Sequence, residues 1–162
     1  MMNVRFDKLG NVVWAKTLGG VSEDWSTSIA ATGDGNYVVT GNHYSFAMFG
    51  GRDLWVMKFD IDGNMIWQRT VGSSVEDYGT GVDGTPDGGA IVTGYGNEAW
   101  LIKISRDGFI SGGCPYGSFT CTVKDYTLTS VDCAPTFSND AVMVTISPSV
   151  SALTPTVLDY CD

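Results

Sequence analysis

Few residues in this chain have the type and spacing to do chemistry. The stretch Asp60-Ile61-Asp62-Gly63-Asn64 opens like a calcium loop, with side-chain oxygens at alternate positions that could surround a cation. The same five residues suit a tight hairpin tip between two apolar runs, where Gly supplies a positive φ. A calcium loop of this kind closes on a carboxylate at its twelfth position, and Val71 stands there. Asp60, Asp62 and Asn64 are therefore weak metal candidates, and calcium is the one cofactor they suggest. The single histidine, His43, lies far from the four cysteines, Cys114, Cys121, Cys133 and Cys161, whose spacings match no zinc pattern. No Gly-x-Ser-x-Gly elbow marks a nucleophile. The acid pairs Glu23-Asp24 and Glu76-Asp77 could serve glycosidic chemistry only at a separation that a sequence does not define. The inventory predicts a non-enzymatic protein, with no catalytic residue assigned.

The elements that would carry these residues are strands. Val, Ile, Thr and aromatic residues fill the apolar quota, Leu is scarce, and Gly is abundant at 21 of 162 residues. No stretch of about ten residues has helical periodicity. The net charge of −9 argues against nucleic acid or an anionic membrane surface as partner, since both demand a basic footprint. No segment approaches the ~20 apolar residues of a membrane span, and the first residues hold no apolar run of signal-peptide length.

The chain repeats itself. Residues 10–41 laid over 63–94 match at a constant offset of 53: Gly10-Asn11 on Gly63-Asn64, Trp14 on Trp67, Thr17 on Thr70, Glu23-Asp24 on Glu76-Asp77, Trp25 on Tyr78. "RDLWVMKFDIDG" (52–63) then recurs as "NEAWLIKISRDG" (97–108) at an offset of 45, so the second copy has the shorter loop. A partial copy, "VRFDKLGN" (4–11), opens the chain. Each unit offers four strand-like runs, and a unit near 50 residues with four short strands is the pattern of a propeller blade. The "DGNMIW" counterparts, "FDKLGNVVW" (6–14) and "ISRDGFISG" (104–112), keep the Gly but not both aspartates, which favours the hairpin tip over the metal loop.

With "GNVVWAKTLGG", "GDGNYVVTG" and "RDLWVMKFD", residues 4–113 resemble a β-propeller repeat of secreted bacterial and archaeal proteins. The resemblance implies an all-β fold of four-stranded blades and a scaffold or adhesion role outside the cell or on its surface. On this reading 1–113 holds two repeats, roughly 10–62 and 63–108, with a flanking half-hairpin at 4–18. Closed propellers have 4–8 blades, and two leave open edges, so the chain is expected to self-assemble into a ring or filament. The alternative is a propeller module that binds glycan or calcium.

From 114 to 162 the composition shifts to Ser, Thr and alternating aliphatics, a β segment holding all four cysteines. An even cysteine count predicts two disulfides and an oxidising compartment; proximity along the chain favours 114–121 and 133–161 among three connectivities. This tail either packs beside the blades or donates a strand to a neighbour's open edge. The loop 42–53 is where the two units differ most. Within it His43, Tyr44, Phe46, Phe49 and Arg52 are the interface candidates.

Overall fold

The computed structural model describes residues 1–45 and 51–110, together with the short strands at 122–125, 131–132 and 156–157. The described residues are all-β, without a helix, and form antiparallel sheets of two, four and three strands, none closed into a barrel. The first sheet pairs β1 (Met2–Phe6) with β2 (Val12–Thr17). The second is a meander of β3 (Asp24–Ala31), β4 (Tyr37–His43), β5 (Asp53–Phe59) and β6 (Met65–Gly72). The third joins β7 (Tyr78–Gly84), β8 (Ala90–Tyr95) and β9 (Ala99–Ile104). The sequence repeat counts from turn to turn, whereas the hydrogen-bonded four-stranded sheet runs from Asp24 to Gly72.

The tail adds β10 (Thr122–Asp125) along β6, with Thr122 opposite Gly72 and Lys124 opposite Thr70. It also adds β11 (Val131–Asp132) along β2 and β12 (Thr156–Val157) along β10. Cys114, Cys121, Cys133 and Cys161 lie outside the described residues, as do Phe46 and Phe49.

One turn recurs at five of the described connections. In Asp60–Asn64 the Gly63 amide donates to the Asp60 carbonyl (3.0 Å) and the Asp60 amide to the Asn64 carbonyl (2.9 Å). Gly63 has φ 79°, and a bulge falls between Lys58 and Phe59, the geometry of a three-residue hairpin loop ending on a left-handed Gly. The same pair of bonds recurs at 7–11, 32–36, 85–89 and 105–109.

The sheets stack in sequence order, and the middle one is buried on both faces. One core cluster joins Val38, Leu54, Val56, Trp67 and Val71 to Ala90, Val92, Ile102 and Ile104 across the four- and three-stranded sheets. A second holds Leu18, Val39, Trp55, Met57 and Phe59, with Met1 against it. Every residue of β5 is buried for this reason. Each sheet is also pinned to the next by a tryptophan. Trp14 donates from Nε1 to the Ile61 carbonyl at 3.0 Å, and Trp67 to the Arg106 carbonyl at 2.9 Å. The rings lie so close to the neighbouring turns that a Cβ on Gly63 would fall 2.8 Å from Trp14, and one on Gly108 2.9 Å from Trp67.

Candidate functional site

In the calcium-like turn the Asp60 carboxylate is spent inside the loop. Its Oδ1 accepts the amides of Asp62 (2.9 Å) and Asn64 (2.8 Å), and Oδ2 accepts Asn64 Nδ2 (2.9 Å). Asp7 does the same with Leu9 and Asn11, and at the third copy Ser105 Oγ accepts the Phe109 amide at 3.0 Å. A serine serves as well because the position requires an acceptor for turn amides rather than a charge. The hydrogen bonds from Asn64 and Asp62 hold the Asp60 carboxyl below the ordinary carboxylate range against the opposing effect of burial. Among the described residues no group of three or more His, Cys, Asp or Glu side chains converges as a metal site.

The acid pairs divide their work. Asp24 Oδ2 accepts the Gly20 amide (2.8 Å) and Ser45 Oγ (2.7 Å), and Asp77 Oδ2 accepts the Ser73 amide (2.6 Å) and hydroxyl (2.9 Å). Both aspartates therefore shape connections between sheets. Glu76 faces outward instead, accepting the hydroxyls of Tyr44 (2.9 Å) and Tyr78. Those two bonds, the Tyr78 one foremost, lower the Glu76 carboxyl, and the same carboxylate raises the Tyr78 phenol.

The interface candidates do not stay together. Tyr44 and Arg52 join a surface cluster with Trp25, Glu76 and Tyr78. The Arg52 guanidinium lies 4.3 Å from the Trp25 ring centre and 4.7 Å from those of Tyr44 and Tyr78, and Nη2 donates to the Tyr44 hydroxyl at 3.1 Å. Tyr78 stacks in turn on Tyr95, centroids 4.9 Å apart and nearly parallel. Cation–π contacts of this kind contribute about 0.5–2 kcal/mol each, and here they tie the rim of the four-stranded sheet to that of the three-stranded one.

His43, the other described interface candidate, lies apart from this cluster and is not at the surface. It is wholly buried at the end of β4, with Nε2 2.9 Å from Thr70 Oγ1 and its ring edge-on to Trp55 at 5.5 Å. Strand alternation explains this: His43 and Asp53 are cross-strand partners on the sheet that is covered on both faces. Burial pushes the imidazole down to about 4, although the Asp24 carboxylate pulls the other way. An imidazole on a hydroxyl is the arrangement of an activated nucleophile. Thr70 is also buried, at 1% exposure, so no substrate reaches the pair in this arrangement.

Sequence reasoning missed Lys58. It sits on β5 at 1% exposure, and Nζ donates to Asp34 Oδ2 (2.7 Å), the Gly88 carbonyl (2.7 Å) and the Arg106 carbonyl (3.3 Å). The pair with Lys58 and the hydroxyl of Thr32 hold the Asp34 carboxyl far below its usual range despite partial burial. Lysine inside an apolar strand, at the same register in "WVMKF" and "WLIKI", was the available signal.

Compared with known proteins, the chain matches no protein-family model, no curated protein and no solved structure.

Proposed function

We propose that this chain is a non-enzymatic structural or adhesive module, extracellular or on the cell surface, that assembles with copies of itself through an open strand edge. On this reading β3–β6 is one four-stranded propeller blade, β1–β2 the outer half of the blade before it, and β7–β9 the inner three strands of the blade after it. One observation carries the proposal. Strand β5 pairs along its length with β6, but its repeat equivalent β9 has, beyond β8, only a single bridge from Ile104 to Ile110 among the described residues.

A strand of the type that would extend β9 is present in the chain, since β2 is the repeat equivalent of β6. Transferring the β5–β6 register places Trp100 opposite Thr17 and Ile102 opposite Ala15 of a second copy. In each copy β1 holds that edge of β2, and β1 and β9 are themselves repeat equivalents, so assembly exchanges one for the other. A rotation that closes gives a ring and one that does not gives a filament. Size-exclusion chromatography with light scattering tests this: a compact monomer at tens of micromolar sinks the reading.

A second reading, a glycan-binding module, is favoured by Tyr95, which is 47% exposed and stacks on Tyr78 on one side only, since an open aromatic face suits a sugar ring. Tryptophan fluorescence titrated with a glycan panel would report it through Trp25. Calcium has less support, because the Asp60 carboxylate already serves the turn amides.

A further inference from the structure

The middle sheet shows what covers each of its faces, and the outer sheets expose the same positions. On the four-stranded sheet Val38, Thr40, Asn42, Val56 and Lys58 are buried beneath the next sheet, whose first strand β7 packs on β4 and, less extensively, on β5. Val82 of β7 is directly opposite Val92, and so lies on the face that turns toward this cluster. At the repeat-equivalent positions of the three-stranded sheet Leu101 is 62% exposed, Tyr95 47% and the Lys103 side chain 38%, against 0%, 2% and 1% for Val56, Asn42 and Lys58. The other end has the complementary surplus. Ile29 of β3, the equivalent of Val82, lies opposite Val39 on the face away from β7 and is 59% exposed.

The turns follow the same rule. A Cβ on Gly88 would meet Asp34 at 2.9 Å, whereas Gly35, its equivalent, has nothing within 4 Å among the described residues. Lys58 donates across the sheet interface to the Gly88 carbonyl, while Lys103 turns back on its own Asp87 (2.9 Å) and Thr85 (2.9 Å).

We infer that the outward face of β8 and β9 is the seat for β3 of a second copy, head to tail, in the geometry that seats β7 on β4 and β5 within one chain. The inference rests on the self-assembly reading above and adds the contact. Ile29 of one copy lies over Ile91 and Leu101 of the other, and Lys103 gives up part of its contact with Asp87 to donate to the second copy's Gly35 carbonyl. The occupant is a second copy because β3 is the only other strand of β7 type among the described residues, and because this contact repeats an interface the chain already makes. The pairing is heterologous: Leu101 meets Ile29, not Leu101.

The test uses Leu101→Asp and Ile29→Lys, both on exposed side chains, with circular dichroism melts to verify folding and light scattering to measure mass. Each variant alone is expected to run as a monomer at concentrations where the wild type assembles. An equimolar mixture is expected to regain the assembled mass, because the carboxylate introduced in one variant then faces the ammonium introduced in the other. Variants that assemble as the wild type does would overturn this face and leave the strand-exchange reading standing. Loss of assembly by Leu101→Asp but not by Ile29→Lys, or a mixture that stays monomeric, would overturn the head-to-tail pairing. A monomeric wild type would remove the self-assembly reading and this contact with it.

Discussion

Acid should destabilise this protein well before its carboxylates titrate, and its one histidine supplies a cause that can be isolated. His43 is the only histidine, and burial lowers its pKa from 6.5 to about 4. In the unfolded chain the imidazole takes a proton near pH 6.5, whereas in the folded chain it stays neutral until about pH 4. Between those values the unfolded state binds more protons, so stability falls as pH falls, and the contribution is complete above the unfolded value. With one pKa unit equal to about 1.4 kcal/mol, the expected loss is about 2 kcal/mol between pH 7 and pH 5. The depressed carboxylates Asp34, Asp60 and Glu76 act later, because their contribution is lost only as pH falls below the ordinary carboxylate values near 4. Urea midpoints at half-unit steps of pH, for the wild type and His43→Gln, isolate the effect. The variant should slope less than the wild type from pH 7 to 5, by about the 2 kcal/mol assigned to His43. Parallel curves for the two proteins would refute the buried, neutral histidine.

The two lysines of the repeat should behave differently. Lys58→Met removes one partner of a buried pair and should cost about 3 kcal/mol in chemical denaturation, while Lys103→Met, at the exposed equivalent, should leave the monomer's melting point unchanged. Equal losses would mean that the burial contrast does not hold in solution. Two turn glycines make a second contrast, since both have φ near 80°. Gly10→Ala adds only backbone strain of about 1 kcal/mol, whereas Gly63→Ala also drives a methyl into Trp14 and should cost about 2 kcal/mol more. The difference should shrink in a Trp14→Ala background, as a double-mutant cycle would show. Arg52→Ala should loosen the joint between the two larger sheets, seen as faster amide exchange at Asp77, whose amide donates to the Arg52 carbonyl at 2.7 Å.

The residues of the calcium-like turn could be judged from sequence because the repeat supplies three copies and the copies disagree at the aspartates. A position that tolerates Asp7, Asp60 and Ser105 is defined by hydrogen bonding to the next few amides, a local interaction that stays within five residues. The strands were legible for the same reason: alternation and turn chemistry are short-range, and "YVVTG" or "WVMKF" specifies a strand wherever it sits. Trp14 and Trp67 could be read as packing residues from their recurrence, although not what they pack on.

Strands, hairpin tips and the periodicity that makes one unit the template for the next all follow from the order of residues alone. Which side chains find partners depends on how the sheets stack. His43 and Arg52 lie nine residues apart along the chain, yet one is sealed under Trp55 and the other ringed by aromatics at the surface. Alternate strand positions face opposite sides of a sheet, and only the stacking of neighbours says which side is dry. Lys58 and Lys103 share a register and a local sequence, but one is buried and the other half-exposed, since burial depends on whether another sheet follows. That dependence on neighbours is nonlocal, and so it belongs to the fold and not to any stretch of residues read alone.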